Sequence, residues 1–258
     1  MRISVIGAGS WGTALAHQLA RRGHELRLWA REGEVVEGIN GRHRNPLFLA
    51  DLDLHPGVVA VSDLDAVGSF SQTWVWVVPV QHSRAVMAEL QPPVREATVI
   101  VSSSKGLETD SLRRMDEIAL EALGVPAERF CCLSGPTFAR EVLRGDPSAA
   151  VLACPSLELA SRLQGEFSDY HLRLYAGTDL IGVELAGALK NVIAIAAGIV
   201  DGLGLGANTQ AALMTRGLHE ITRLGGALGA DVMTFRGLAG MGDLVLTCTG
   251  GLSRNRQI

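Results

Sequence analysis

Residues 2–16, RISVIGAGSWGTALA, decide the fold. The apolar run Ile3 to Ile6 enters a glycine turn and leaves it in the helical periodicity of Trp11 to Arg22. Gly7, Gly9 and Gly12 stand in the G-x-G-x-x-G spacing. In that spacing the first glycine makes the tight turn, the second lets a pyrophosphate approach the backbone, and the third lets helix and strand pack closely. The free N–H groups and dipole at the helix N-terminus then favour the phosphates. Such a turn is a weak signal in a chain with 30 glycines. Its place directly after a strand and directly before a helix is what makes it a dinucleotide site.

Outward from this turn, short β-branched runs alternate with helix-length segments. The expected strands are Ile3 to Ile6, Glu25 to Trp29, Val58 to Val61, Trp74 to Val78, Thr98 to Ser102, Phe130 to Leu133, Ala149 to Ala153 and Leu172 to Tyr175. The expected helices between them are Trp11 to Arg22, Ser83 to Leu90, Ser111 to Leu123 and Leu157 to Phe167. Runs such as WVWVV read as strands buried on both faces, so the fold class is α/β, a Rossmann-type doubly wound, mainly parallel sheet. After Asp179 the strand signal stops and helical patterns follow at Leu180 to Val200, Thr209 to Leu228 and Leu238 to Cys248. We therefore expect a dinucleotide-binding domain over residues 1–179 and a helical substrate-binding domain over 180–258. The last residues, RNRQI after Ser253, are too few for a stable helix and read as the start of a chain that continues.

Composition narrows the function. With 23 Lys and Arg against 27 Asp and Glu, the net charge is −4, which excludes a nucleic-acid grip built on bulk charge. Aromatics are 5% of the chain, so the core is aliphatic. Cys131, Cys132, Cys154 and Cys248 show neither C-x-x-C spacing nor a histidine pair at zinc-ligand distance, which points to a reducing compartment and no metal. No secretory signal is visible, and the most apolar stretch, Asn191 to Val200, is too short for a membrane span, so a cytoplasmic location is expected.

Several charged residues sit where charge is expensive. Lys190 lies in the apolar run ELAGALKNVIAIAAGIV, and its helical neighbours Ala186, Gly187, Ile193 and Ala194 offer no carboxylate. It either snorkels to water, which periodicity alone favours, or is buried with a lowered pKa suited to proton transfer. Lys105 follows the strand VIVSSS at its carboxyl end, where ligands of open α/β sheets bind. Asp243 stands early in an apolar helix, either because it favours the helix N-terminus electrostatically or as a site residue. Ser253, Arg254 and Asn255 offer a hydroxyl, a guanidinium fork and an amide, a set suited to a phosphate or to a solvated loop. Arg31, after the second strand, replaces the acidic ribose ligand and can pair with a 2′-phosphate; Glu32 beside it leaves NAD open, and we favour NADP. Cys131 and Cys132 read as packing, and His82, beside a strand end, as non-catalytic.

Taken together, the segments resemble bacterial NAD(P)-dependent glycerol-3-phosphate dehydrogenase along essentially the whole chain. The motifs that carry the resemblance are GAGSWGTALA at 7–16, SSSKGLE at 102–108, SGPTFAREV at 134–142, ELAGALKNVIAIAAGI at 184–199 and AGMGDLVLTCTGGLSRNR at 239–256. The resemblance implies that Ser10, Trp11 and Arg31 contact the cofactor with the glycine loop, that Ala139 lies against it, and that Lys105 touches both cofactor and substrate. It implies that Gly135, Thr137, Asp243, Ser253, Arg254 and Asn255 bind glycerol phosphate, with Arg254 also reaching the cofactor. Lys190 would be the proton acceptor, and Lys105 and Asp243 would share in catalysis. The implied activity is reversible NAD(P)H-dependent reduction of dihydroxyacetone phosphate to sn-glycerol 3-phosphate, which supplies the backbone for phospholipid synthesis, in a homodimer. The sequence departs from the pattern at Val80, where the family often has a small hydroxyl residue. Family members also continue past Ile258 with further helices that carry a cofactor-contacting Val and Glu. The sign of the Lys190 shift stays open, because Lys105 would lower its pKa and Asp243 would raise it.

Overall fold

The structure is a computed structural model that describes residues 1–90, 94 and 97–253. Eight strands form one sheet in the order β3-β2-β1-β4-β5-β6-β7-β8. They are β1 (Arg2–Ile6), β2 (Glu25–Trp29), β3 (Val58–Val61), β4 (Thr73–Trp76), β5 (Val99–Ser102), β6 (Phe130–Ser134), β7 (Ser148–Ala153) and β8 (Leu172–Gly177). Every pairing is parallel except β6 with β7. The strand order reverses beside β1, between β2 and β4, and that switch point opens the crevice used below.

The period of two along each strand sorts the core. In β4, Trp74 and Trp76 join the cluster that also holds Ile100, Phe130 and Cys132, whereas Val75 faces the opposite cluster with Ile3, Val5, Val101 and Leu133. The WVWVV run is therefore aromatic toward one layer of helices and aliphatic toward the other, as a strand covered on both faces requires. The first layer includes α4 (Val80–Glu89) and α5 (Met115–Leu123), and the second includes α1 (Ser10–Arg21), α2 (Gly33–Arg42) and α7 (Leu157–Phe167).

Three helices escaped the sequence reading. Besides α2 these are α3 (Leu64–Phe70) and α6 (Ala139–Arg144). Two are under eight residues long, and the third, GEVVEGINGR, buries only Val35, Gly38 and Ile39, so none shows a full apolar stripe. The expected start of α5 at Ser111 moves to Met115, because residues 108–113 close a turn in which Leu112 takes φ 57° and the Glu108 amide donates to the Arg113 carbonyl.

The helical end of the chain comprises α8 (Leu180–Gly202), α9 (Ala207–Ala227) and α10 (Asp243–Thr249), the last preceded by a π-helical turn over Leu238–Gly242. Asp179 caps α8 by accepting from the Gly182 amide at 2.9 Å. Leu180 and Val183 pack into the sheet's own core, and Ile193, Ala194 and Ala197 pack with Leu244 and Cys248 further along. The helix is 23 residues long, so the expectation of a short apolar stretch is corrected: by length and composition alone it is long and apolar enough to cross a membrane. Half of its most apolar window is buried in the fold, and it carries buried Glu184 and Lys190, which marks a core helix.

Glycine placement in this end makes a stability prediction. A Cβ on Gly225 would stand 2.1 Å from the ring of fully buried Phe235, whereas one on Gly165 in α7 would meet nothing within 4 Å. Gly225→Ala should lose at least about 1–3 kcal/mol by overpacking. Gly165→Ala should gain about 0.5–1 kcal/mol. Denaturant midpoints of the two variants check both signs.

Candidate active site

The three glycines of the first turn divide their work. Gly7 has φ 114°, and a Cβ there would lie 2.9 Å from the carbonyl carbon of Val77. A Cβ on Gly12 would lie 1.8 Å from the Gly7 oxygen, so these two positions are closed to any side chain. Gly9 has nothing within 4 Å of its Cβ direction and opens onto a cleft of about 730 Å³. No side chain caps α1, so its first amides face the same cleft. The closed pair, the open middle glycine and a volume within the usual range for ligand pockets fit a dinucleotide.

Ser10, Trp11, Arg31 and Ala139 all line this cleft, as do Glu32 and His82. Its outer wall includes Phe48 and Leu49. Asn45 sets that wall: its fully buried amide donates to the Ala8 carbonyl at 2.9 Å and to Thr13 Oγ1 at 2.8 Å, while its oxygen accepts from the Leu47 and Phe48 amides. The sequence reading missed Asn45, although an asparagine before proline in RNPLF is a turn signal.

A second cavity of about 450 Å³ adjoins the first, sharing Thr137, Phe138 and Leu252 with it. Lys105, Lys190, Asp243 and Ser253 line it. Three distant segments meet here: the loop after β5 brings Lys105, α8 brings Lys190, and the start of α10 brings Asp243. Asp243 accepts from Lys105 Nζ on one carboxylate oxygen and from Lys190 Nζ on the other, each at 2.6 Å. The Asp243 side chain is 3% exposed and that of Lys190 7%, whereas Lys105 keeps 23%.

The periodicity argument for a snorkelling Lys190 is thereby corrected. No partner exists on its own helix, but α10 supplies Asp243 and Thr247, whose Oγ1 accepts from Lys190 Nζ at 2.6 Å and donates to the Asp243 carbonyl. Burial pulls the Lys190 ammonium down from 10.5 to about 8; Lys105 pushes the same way, and Asp243 opposes. The sign that sequence left open is therefore downward. Thr247 and Asn191, both lining the cavity, were also missed. Thr247 was findable, because it lies one helical turn after Asp243.

Gly135 does not line either cavity. Its carbonyl accepts from Lys105 Nζ at 3.5 Å, and a Cβ on it would stand 2.8 Å from Ala150 Cα, so it works by close packing and one backbone oxygen. Ser253 is 4% exposed, and its hydroxyl has no hydrogen-bond partner among the described residues. Arg254 and Asn255 lie outside the described residues. Cys131 and Cys132 are buried; a hydrogen bond to Cys154 and burial raise the first thiol, and burial raises the second, so neither is a ready nucleophile.

Two family models match the chain. That of the NAD-dependent glycerol-3-phosphate dehydrogenase N-terminus covers residues 2–160, and that of the corresponding C-terminus covers 179–258. A glycerol-3-phosphate dehydrogenase (NAD(P)+) of Nitratidesulfovibrio vulgaris is 52% identical over 100% of this chain and 78% of its own length. That of Geobacter metallireducens is 50% identical over 100% and 77%. The crystal structure of glycerol-3-phosphate dehydrogenase from Coxiella burnetii superposes with a TM-score of 0.93 at 40% identity, covering 99% of this chain and 78% of that one. Carrying both halves of the family's pattern in order, the chain belongs to the NAD-dependent glycerol-3-phosphate dehydrogenase family.

Proposed function

We propose that the chain catalyses reversible NAD(P)H-dependent reduction of dihydroxyacetone phosphate to sn-glycerol 3-phosphate, with Lys190 as the group that gives and takes the proton. The observation that carries this reading is a buried lysine at about 8, hydrogen-bonded to Asp243, in a cavity that adjoins the dinucleotide cleft. We treat residues 1–179 as the cofactor unit and 180–258 as the substrate unit.

When bound, the nicotinamide supplies the hydride in one direction and receives it in the other. Negative charge grows on the substrate's carbonyl oxygen during reduction, and the Lys190 ammonium stabilises it and then donates its proton. In the reverse direction the neutral amine accepts the hydroxyl proton. With its pKa at about 8, Lys190 is charged in most molecules at neutral pH, with a neutral fraction of about a tenth, so both directions have a competent form. Asp243 orients Lys190 and balances one of the two ammonium charges. Lys105 lines the substrate cavity and not the cofactor cleft, and Thr137 forms part of the wall common to both. The buried hydroxyl of Ser253, without a hydrogen-bond partner among the described residues, offers the substrate phosphate a hydrogen bond; Arg254 and Asn255, next in the sequence, bring the guanidinium fork and amide that suit a phosphate. Binding at that remote phosphate holds the reacting carbon in place.

The product supplies the backbone of phospholipids. The four cysteines are free thiols, which supports a reducing, cytoplasmic setting, and a homodimer is the assembly we expect. Light scattering of the purified enzyme tests the dimer.

Oxidation of the reduced nicotinamide by a panel of phosphorylated ketones and 2-oxo acids tests the activity. Dihydroxyacetone phosphate should be preferred; preference for a 2-oxo acid, or cofactor binding with no substrate turned over, would overturn the reading. For the cofactor, Arg31 lines the cleft and supports NADP. Arg31→Asp should reverse the ratio of NADPH to NADH specificity by at least about tenfold, since it exchanges an attractive for a repulsive contact at the 2′-phosphate. An unchanged ratio would remove Arg31 from cofactor choice.

A further inference from the structure

Lys105 stands on a short span of backbone held from both ends. On the upstream side the Ser103 amide donates to the Trp76 carbonyl, and the Ser104 hydroxyl donates to the Val78 carbonyl. On the downstream side the holders are two side chains of α4. Gln81 Nε2 donates to the Leu107 carbonyl at 2.7 Å, and its Oε1 accepts from the Thr109 amide at 3.0 Å and the Thr109 hydroxyl at 2.8 Å. Arg84 forks onto Glu108, with Nε to Oε1 at 2.8 Å and Nη2 to Oε2 at 2.9 Å, and its Nη2 also reaches Glu121 at 2.8 Å. Only Lys105 and Gly106, the latter at φ 137°, lie between the two sets of anchors.

The same helix borders the cofactor. His82 and Val86 of α4 line the dinucleotide cleft, while Gln81 and Arg84 grip the Lys105 loop. Neither Gln81 nor Arg84 lines either cavity. We propose that Gln81 and Arg84 are positioning residues, which hold the loop after β5 so that the Lys105 ammonium stands against Asp243, opposite Lys190. The chemical basis is geometric: a partly exposed lysine on a loose loop moves toward water, and its hydrogen bond to Asp243 is kept only if its backbone cannot retreat.

This inference rests on Lys190 being the proton carrier. The titratable groups that act on Lys190 are Lys105, from the loop after β5, and Asp243, from α10. When Lys105 recedes, Asp243 acts on Lys190 with less opposition, so the Lys190 ammonium holds its proton to higher pH. The neutral amine needed for glycerol phosphate oxidation then appears later in a titration.

The test is the pH dependence of that oxidation in full-length enzyme carrying Gln81→Ala, Arg84→Ala or Arg84→Lys. Gln81→Ala removes three hydrogen bonds and no charge, and serves if Arg84→Ala fails to fold. In both alanine variants the rising limb of the profile should move up by about one pH unit. The KM for dihydroxyacetone phosphate should rise several-fold, while cofactor affinity, read by nicotinamide fluorescence, stays within about twofold. Arg84→Lys, which keeps one bond to Glu108, should restore most of the profile. Variants that only melt earlier, with limb and KM unmoved, would reduce the clamp to a structural role and overturn the proposal. Full turnover in Lys190→Ala would instead remove the premise, so the two failures are distinct.

Discussion

Lys190→Ala should fold, bind the cofactor as the parent does, and lose about 10²- to 10⁴-fold in turnover, the range that a positioned acid–base group contributes. The cofactor cleft is built from β1, α1 and the loops after β2 and β4, and Lys190 does not line it, so cofactor binding survives the change. The fold survives because Asp243 keeps a charged partner in Lys105 at 2.6 Å, and the carboxylate is not left buried alone. Single-turnover measurement of nicotinamide oxidation with saturating dihydroxyacetone phosphate isolates the chemical step. A rate within a factor of a few of the parent would show that water or Lys105 handles the proton.

Asp243→Asn should have the second largest effect, and in a different manner. The carboxylate is the counter-charge of two ammonium groups and, among the described residues, the influence on Lys190 that favours its charged form. Without it, burial and Lys105 act unopposed, and the Lys190 pKa falls below its value of about 8. The sign for catalysis follows directly. Glycerol phosphate oxidation, which needs the neutral amine, should start at lower pH, and dihydroxyacetone phosphate reduction, which needs the ammonium, should fail earlier as pH rises. Turnover drops in both directions because the amine also loses its orientation, by about 10²-fold or more. A profile that moves upward would reject the electrostatic account. The direction is opposite to that expected for loosening the Lys105 loop, so the two sets of variants bracket Lys190 from both sides.

The pattern of the chain made the sheet legible because strands buried on both faces leave unbroken apolar runs. β4, β5 and β6, buried at every position, stand where such runs occur, whereas β2 and β8 showed instead as alternation of apolar with charged or exposed residues; β2 and β3 begin and end as expected. The short helices α3 and α6 were illegible for the converse reason: each covers too little core to leave a stripe. At the site, the glycine turn was readable because backbone geometry restricts the residue type, as the 1.8 Å approach at Gly12 makes plain. The environment of Lys190 was not. Its neighbours in sequence are apolar, and the carboxylate that pairs with it lies 53 positions away, so helical spacing pointed to the wrong outcome. Family resemblance supplied Asp243, but only the fold shows one carboxylate dividing its two oxygens between two lysines.

That divided carboxylate has a consequence for how activity fades. Its contacts close loops of 53 and 138 residues, so the chemistry depends on segments whose association is lost whenever α8 or α10 detaches, even if the sheet endures. Heating should therefore silence turnover before the tryptophans buried in β4 register any melting. The enzyme would retain its cofactor for a few degrees as an inert holder, a state visible as bound nicotinamide fluorescence without reaction.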